Sequence, residues 1–131
     1  MERKNIFRGK NKKNGWIYGD LIHNRREVFI APIGIANPFA TAEDFVVDED
    51  SIGYFTSLKD KTNKDIYEYD IVSYHGKYFI CVWVERCASF AFVEDEENGG
   101  NGGYTYFSMY DKAELKIVGN IYDNVELLNR K

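Results

Sequence analysis

Between Ile71 and Ile121, five short apolar runs follow one another, with turn residues between them. They are Ile71–Tyr74, Tyr78–Val84, Ser89–Val93, Tyr104–Phe107 and Leu115–Ile121. Runs this short, rich in aromatic and β-branched residues, fit strands rather than helices. No window of ten or more residues carries a helical period, so the chain reads as mainly β. His75-Gly76 reads as a two-residue turn joining the first two strands. Tyr78–Val84 is almost continuously apolar, as in a central strand covered on both faces or one buried at a subunit contact. Five short strands with a tight early hairpin and a long later loop suit a small, partly open barrel of the SH3-like kind. Such a barrel also hides the edges that aromatic strands would otherwise present.

The first third reads as further short strands. Ile6–Phe7 leads into a loop, Lys10 to Gly15, whose Asn14-Gly15 end signals a hairpin. Trp16–Ile22 alternates, His23–Arg26 turns the chain, and Val28–Ile30 runs up to Pro32. Asn37-Pro38 marks a turn, and Thr41–Asp44 is expected to start one helical turn. Phe45–Val47 and Ile52–Phe55 read as strands around the acidic turn Asp48–Asp50. Lys59–Asp65 is a charged loop in which Asn63 suits a left-handed conformation. Residues 94–103 form an acidic, then glycine-rich loop expected to be mobile, and Asp123–Leu128 reads as a closing helical turn. The expected organisation is an N-terminal β subdomain, 1–50, with a basic hairpin, and a second part, 51–131, holding the barrel within one compact unit. The length is ample for such a core without disulfide staples.

Charge is uneven. The net value is −4, yet residues 1–30 carry eight Lys/Arg against three Asp/Glu, and residues 31–131 carry nine against eighteen. Three readings follow for Arg3, Lys4, Arg8, Lys10, Lys12, Lys13, Arg25 and Arg26. They solvate a hairpin, they form a nucleic-acid-binding arm, or they meet the acidic face of a neighbouring subunit. Exposed aromatics for stacking bases would come from Tyr74, Tyr78, Trp83, Tyr104, Tyr106 and Tyr110. The acidic balance of the barrel half opposes phosphate binding there, so nucleic acid is the less favoured partner.

Catalytic chemistry finds little support. His23, His75, Cys81 and Cys87 lack the paired short spacings of zinc sites, and no metal or other cofactor is expected. Carboxylates cluster at Asp44, Asp48, Glu49 and Asp50, and again at Asp60, Asp65, Glu68 and Asp70. Alternation would put Glu68 and Asp70 on one face of an extended segment, the one arrangement that favours a small metal-dependent hydrolase. A structural role for Asp70, accepting backbone N–H groups at the entry to its strand, is the stronger reading. The loop Gly99–Gly103 lacks the lysine and hydroxyl residue of a phosphate-binding loop. The N-terminus has positive charge without an apolar run behind it, and no stretch approaches a membrane span. The two cysteines then read as reduced thiols, with no disulfide between them.

One segment is distinctive: IGYFTSLKDKTNKDIYEYDIV, from Ile52 to Val72. It resembles the hallmark of the YopX family, proteins of bacteriophages and prophages, whose pattern runs near IGxxTGLKDKNGKxIYEGDIV. The matching positions include Gly53, Thr56, Leu58, Asp60, Ile66, Tyr67, Glu68 and Asp70. Ile117 to Asn124, with Gly119 and Asn120, resembles the family's terminal motif, and Phe7-Arg8-Gly9 with Trp16 to Ile22 resembles its start. Ser57 and Tyr69 depart from the pattern by standing where the family has glycine, and Thr62-Asn63 replaces Asn-Gly. If those glycines supply a positive φ, Tyr69 is the change that most strains its turn. The resemblance implies a phage-derived, cytoplasmic protein of the bacterial host that self-assembles; another phage or host protein is a further partner to be expected of an interaction protein. It carries over no catalytic residue.

Overall fold

The computed structural model describes residues 6–35, 37–94, 104–107 and 109–128. Arg3, Lys4 and nearly all of the glycine-rich loop expected at 94–103 lie outside the described residues. The chain divides into two compact units, Met1–Phe55 and Thr56–Lys131, and β-strand dominates both.

In the first unit, β1 (Phe7–Asn11), β2 (Gly15–His23), β3 (Val28–Ala31), β4 (Val46–Val47) and the start of β5 (Gly53–Lys59) form an antiparallel sheet in the order β4-β3-β2-β1-β5. Asn11, buried at the end of β1, shapes the hairpin. Its side-chain oxygen accepts the N–H groups of Lys13 at 3.0 Å and Asn14 at 2.7 Å. Its amide donates to the carbonyls of Glu43 and Val46. Val28, Ile30 and Val47 pack with Phe7, Ile17, Leu21 and Ile52 as the core on one face. Gly9 lies beneath Val47, where any Cβ would come within 2.9 Å of the valine Cβ. On the other face, Phe29 meets Phe39 edge-on at 5.0 Å. Phe39 belongs to a 3-10 turn, Pro38–Asp44, capped by the Asn37 side chain, so the expected helical turn starts earlier than Thr41.

In the second unit, β6 (Asp65–Tyr67) is hydrogen-bonded to β5, a strand the sequence reading missed. Thr56 is the reason: its hydroxyl donates to the Ile66 carbonyl at 2.7 Å and accepts the Leu58 N–H, extending β5 to Lys59. A separate sheet holds β7 (Asp70–Tyr74), β8 (Lys77–Val84), β9 (Ser89–Glu94), β10 (Tyr104–Thr105) and β11 (Lys116–Asn120), all antiparallel. The order is β10-β9-β8-β7-β11, a meander whose last strand returns beside its first. It leaves β10 and β11 as edges, so strand pairing does not close a barrel among the described residues.

Ile66, Val72, Phe79, Cys81, Phe92 and Leu115 make this unit's core. Cys81 lies opposite Phe92, and Phe79 opposite Val72, which puts them on one face. The apolar run of β8 is buried on that face through Phe79 and Cys81. On its other face Val84 is buried, while Tyr78, Ile80 and Val82 are half-buried. Neither cysteine is in a disulfide; Cys81 is buried and Cys87 exposed.

Among the described residues of this unit, five non-glycine positions take positive φ: Ser57 (72°), Asn63 (68°), Tyr69 (73°), His75 (48°) and Ala88 (49°). The first three are the positions where the YopX pattern has glycine. His75 and Gly76 together form the two-residue turn, whose right-handed strand twist requires both φ values positive. Tyr69 is locked by its own backbone, its N–H donating to the Cys81 carbonyl and its carbonyl accepting the Ile121 N–H. Ser57 is exposed and relieves nothing by its side chain. Ser57→Gly should therefore raise stability by roughly 0.5–1 kcal/mol, read as a higher midpoint in urea with an unchanged slope. A lower midpoint would show that the serine side chain has a stabilising role.

Candidate functional site

Two carboxylates of the 52–72 segment are built into the backbone. Asp60, only 1% exposed, accepts Thr62 N–H at 2.9 Å, Thr62 Oγ1–H at 2.7 Å and Lys64 N–H at 3.0 Å through Oδ1. Its Oδ2 accepts the Ile117 N–H at 3.0 Å, and Lys61 N–H reaches the Leu115 carbonyl at 2.7 Å. The loop 60–64 is thereby stitched along the edge strand β11. Burial pushes the Asp60 carboxyl up, but the bonds from Ile117, Thr62 and Lys64 outweigh it and hold the group below its ordinary 3.8.

Asp70 accepts the Tyr67 N–H at 2.8 Å, the structural role expected of it at the entry to β7. The extended segment expected to put Glu68 and Asp70 on one face is not formed. Alternation holds only in extended chain, and here Glu68 and Tyr69 form a turn with Tyr69 at positive φ. Asp70 is buried within that turn, while burial and then the charge of Glu68 push the Tyr69 phenol up. Asn120 closes the second motif, its side-chain oxygen accepting Tyr122 and Asp123 N–H. Gly119 has to be glycine there, since a Cβ would meet the Asn124 side chain at 2.6 Å. Asp60, Asp70 and Asn120 thus hold turns. Among the described residues, no group of three or more His, Cys, Asp or Glu could hold a metal ion.

The basic residues are dispersed. Arg25 and Arg26 follow β2 at its far end, while Lys12 and Lys13 precede its start. With nine residues of strand between them, the two groups stand roughly 26 Å apart. Lys13 pairs with Asp44 at 2.8 Å and lies 3.7 Å from Glu43; its bond to Asp44 raises its pKa and lowers that of Asp44. Arg8 is buried, with its guanidinium carbon 4.7 Å from the Trp16 ring centroid, and Lys10 Nζ lies 5.3 Å from the same ring. Lys10 is directly opposite Trp16, and Arg8 opposite Tyr18, so all four share one face of the hairpin. The sequence reading counted these cations without placing Trp16 among them. The Asn14-Gly15 turn carries that signal, because a hairpin register pairs residues across it.

The aromatic stacking candidates also part company. Tyr74 packs against Phe107 at 4.5 Å, Phe79 at 6.3 Å and the His75 ring at 4.3 Å. It belongs to the core wall. Trp83, Tyr104 and Tyr106 are 47%, 48% and 52% exposed. Trp83 leans edge-on against Phe90 at 5.0 Å, and the Tyr106 hydroxyl lies 3.7 Å from Cys87 Sγ. That sulfur contact and then burial push the Tyr106 phenol up. Tyr78 is half-buried, and the side chain of Tyr110 lies outside the description. No helix among the described residues is long and apolar enough to cross a membrane.

Asp60→Asn keeps the shape but points an amide at one of the donors that the carboxylate satisfies, and should cost roughly 2–3 kcal/mol in denaturant unfolding. The pH dependence has a fixed sign. A carboxyl depressed in the folded state adds stability above its unfolded value, and that share is lost as pH falls below about 4, through the lower folded pKa. The wild-type protein should therefore lose stability below about pH 4, and Asp60→Asn should flatten that decline. An equal decline in both proteins would assign it to other carboxylates.

No curated protein matches the chain. A family model described as YopX protein matches residues 6–129, nearly its whole length. With the 52–72 segment and the Gly119-Asn120 turn folded as described, the chain belongs to the YopX family.

Proposed function

We propose that this protein is a non-enzymatic, self-associating, macromolecule-binding protein of a bacteriophage or prophage, acting in the cytoplasm of the bacterial host. The observation that carries this reading is the exposure of three large rings of the second unit: Trp83, on the face of β8 that continues from the core, Tyr104 on the other face of the sheet, and Tyr106 just beyond β10. Large amphipathic rings held on a sheet and left in water are the residues that anchor protein interfaces. The engagement of Asp60 and Asp70 by backbone donors supports a role without acid–base chemistry. The strand order of the second unit, a four-strand meander with the fifth strand returning beside the first, supports an SH3-like, partly open barrel as its architecture. Besides a second copy of itself, another phage or host protein is the partner this surface fits.

Size-exclusion chromatography with light scattering, at micromolar concentration and at low and high salt, tests the assembly. A salt-resistant oligomer is expected, because aromatic contacts are not screened. Trp83→Ala should weaken that assembly by at least roughly tenfold in dissociation constant, the scale of an interface anchor. A strict monomer in both salts would overturn self-association. An oligomer indifferent to Trp83→Ala would move the interface elsewhere.

A further inference from the structure

We infer that the β1–β2 face of the first unit is a binding site for single-stranded nucleic acid, with Trp16 as the stacking platform and Lys10 and Lys12 as phosphate contacts. The inference concerns a different surface from the exposed rings of the second unit. Three observations converge on it. Arg8 lies buried at 4.7 Å from the Trp16 centroid, so the indole is seated on a fixed cation and keeps its orientation. Lys10 stands directly across the hairpin from Trp16, with its ammonium 5.3 Å from the ring, and exposed Lys12 lies two residues further on. Arg8 and Lys10 are about 6.7 Å apart along the strand, so charge and ring alternate over a short span. Tyr18, half-exposed and across from Arg8, extends the ring surface by one position.

The charge of residues 1–30, eight basic against three acidic, is complementary to a phosphate chain. The ring between the cations is what favours nucleic acid over an acidic peptide, since a base presents a flat face to stack and a carboxylate does not. Unpaired bases are required, because in a duplex those faces are already stacked on one another. Lys13 contributes little, being paired with Asp44. Arg25 and Arg26 are too remote to join the same site.

The test is a fluorescence titration of the full chain carrying Trp83→Phe, so that Trp16 is the only indole, against an oligothymidylate of about 15 nucleotides at about 50 and 200 mM salt. Quenching of Trp16 with saturable binding is expected, weakening as salt rises. Lys10→Glu with Lys12→Glu should weaken binding at least tenfold and reduce the salt slope by one to two units. Trp16→Leu, checked for folding by circular dichroism, should also weaken it about tenfold. If that variant does not fold, Lys12→Glu alone, at an exposed turn position, still has to weaken binding. The inference is overturned by any of three results: no binding at low salt, equal affinity for a duplex of the same length, or binding untouched by the lysine reversals. Equal competition by polyglutamate would also overturn it, assigning the face to an acidic protein segment such as the acidic part of a second copy.

Discussion

Four hydrogen bonds converge on the Asp60 carboxylate, three from its own loop and one from Ile117 on β11. An edge strand presents unpaired N–H groups that invite another chain. Here one of those groups is taken up by a side chain from 57 residues earlier in the chain. Lys61 bonds to Leu115 beside it, so loop and strand are fixed together. With β11 set, its register against β7 follows, and so does the turn that places Asn120 over Tyr122 and Asp123. The two halves of the family pattern, far apart in sequence, are one hydrogen-bonded structure. That is a physical reason for both to occur in the same chain.

The same segment stores strain. Ser57, Asn63 and Tyr69 occupy left-handed backbone that glycine enters without cost, and Tyr69 carries a half-buried ring there. Such a conformation persists only where surrounding bonds over-determine it. For Tyr69 those bonds run to Cys81 and Ile121, on β8 and just beyond β11. The turn therefore depends on the sheet that it helps to start.

The two units offer different surfaces. The first carries an indole set among cations on a hairpin face. The second presents the exposed rings Trp83, Tyr104 and Tyr106, with Arg86 beside Tyr106. The difference arises from pairing: β1 alternates Arg8 and Lys10 opposite Tyr18 and Trp16, whereas β8 and β9 are apolar on the face that continues from the core to Trp83 and Phe90.

Local sequence determined the strands wherever side-chain alternation and turn residues agreed. β7, β8, β9 and β11, the His75-Gly76 turn and the Asn14-Gly15 hairpin were all legible, because their signals lie within a few residues of one another. The family was legible for the same reason, in a continuous stretch of 21 residues, Ile52–Val72. What depended on distant partners was not. β6 exists because Thr56 reaches the Ile66 carbonyl, Asp60 is buried because Ile117 lies beside it, and Glu68 and Tyr69 form a turn where extended chain was expected. The basic residues looked like one group in the sequence, yet burial took Arg8, an ion pair took Lys13, and the length of β2 removed Arg25 and Arg26. Composition counts charges, but only the folded backbone decides which of them share a face with Trp16.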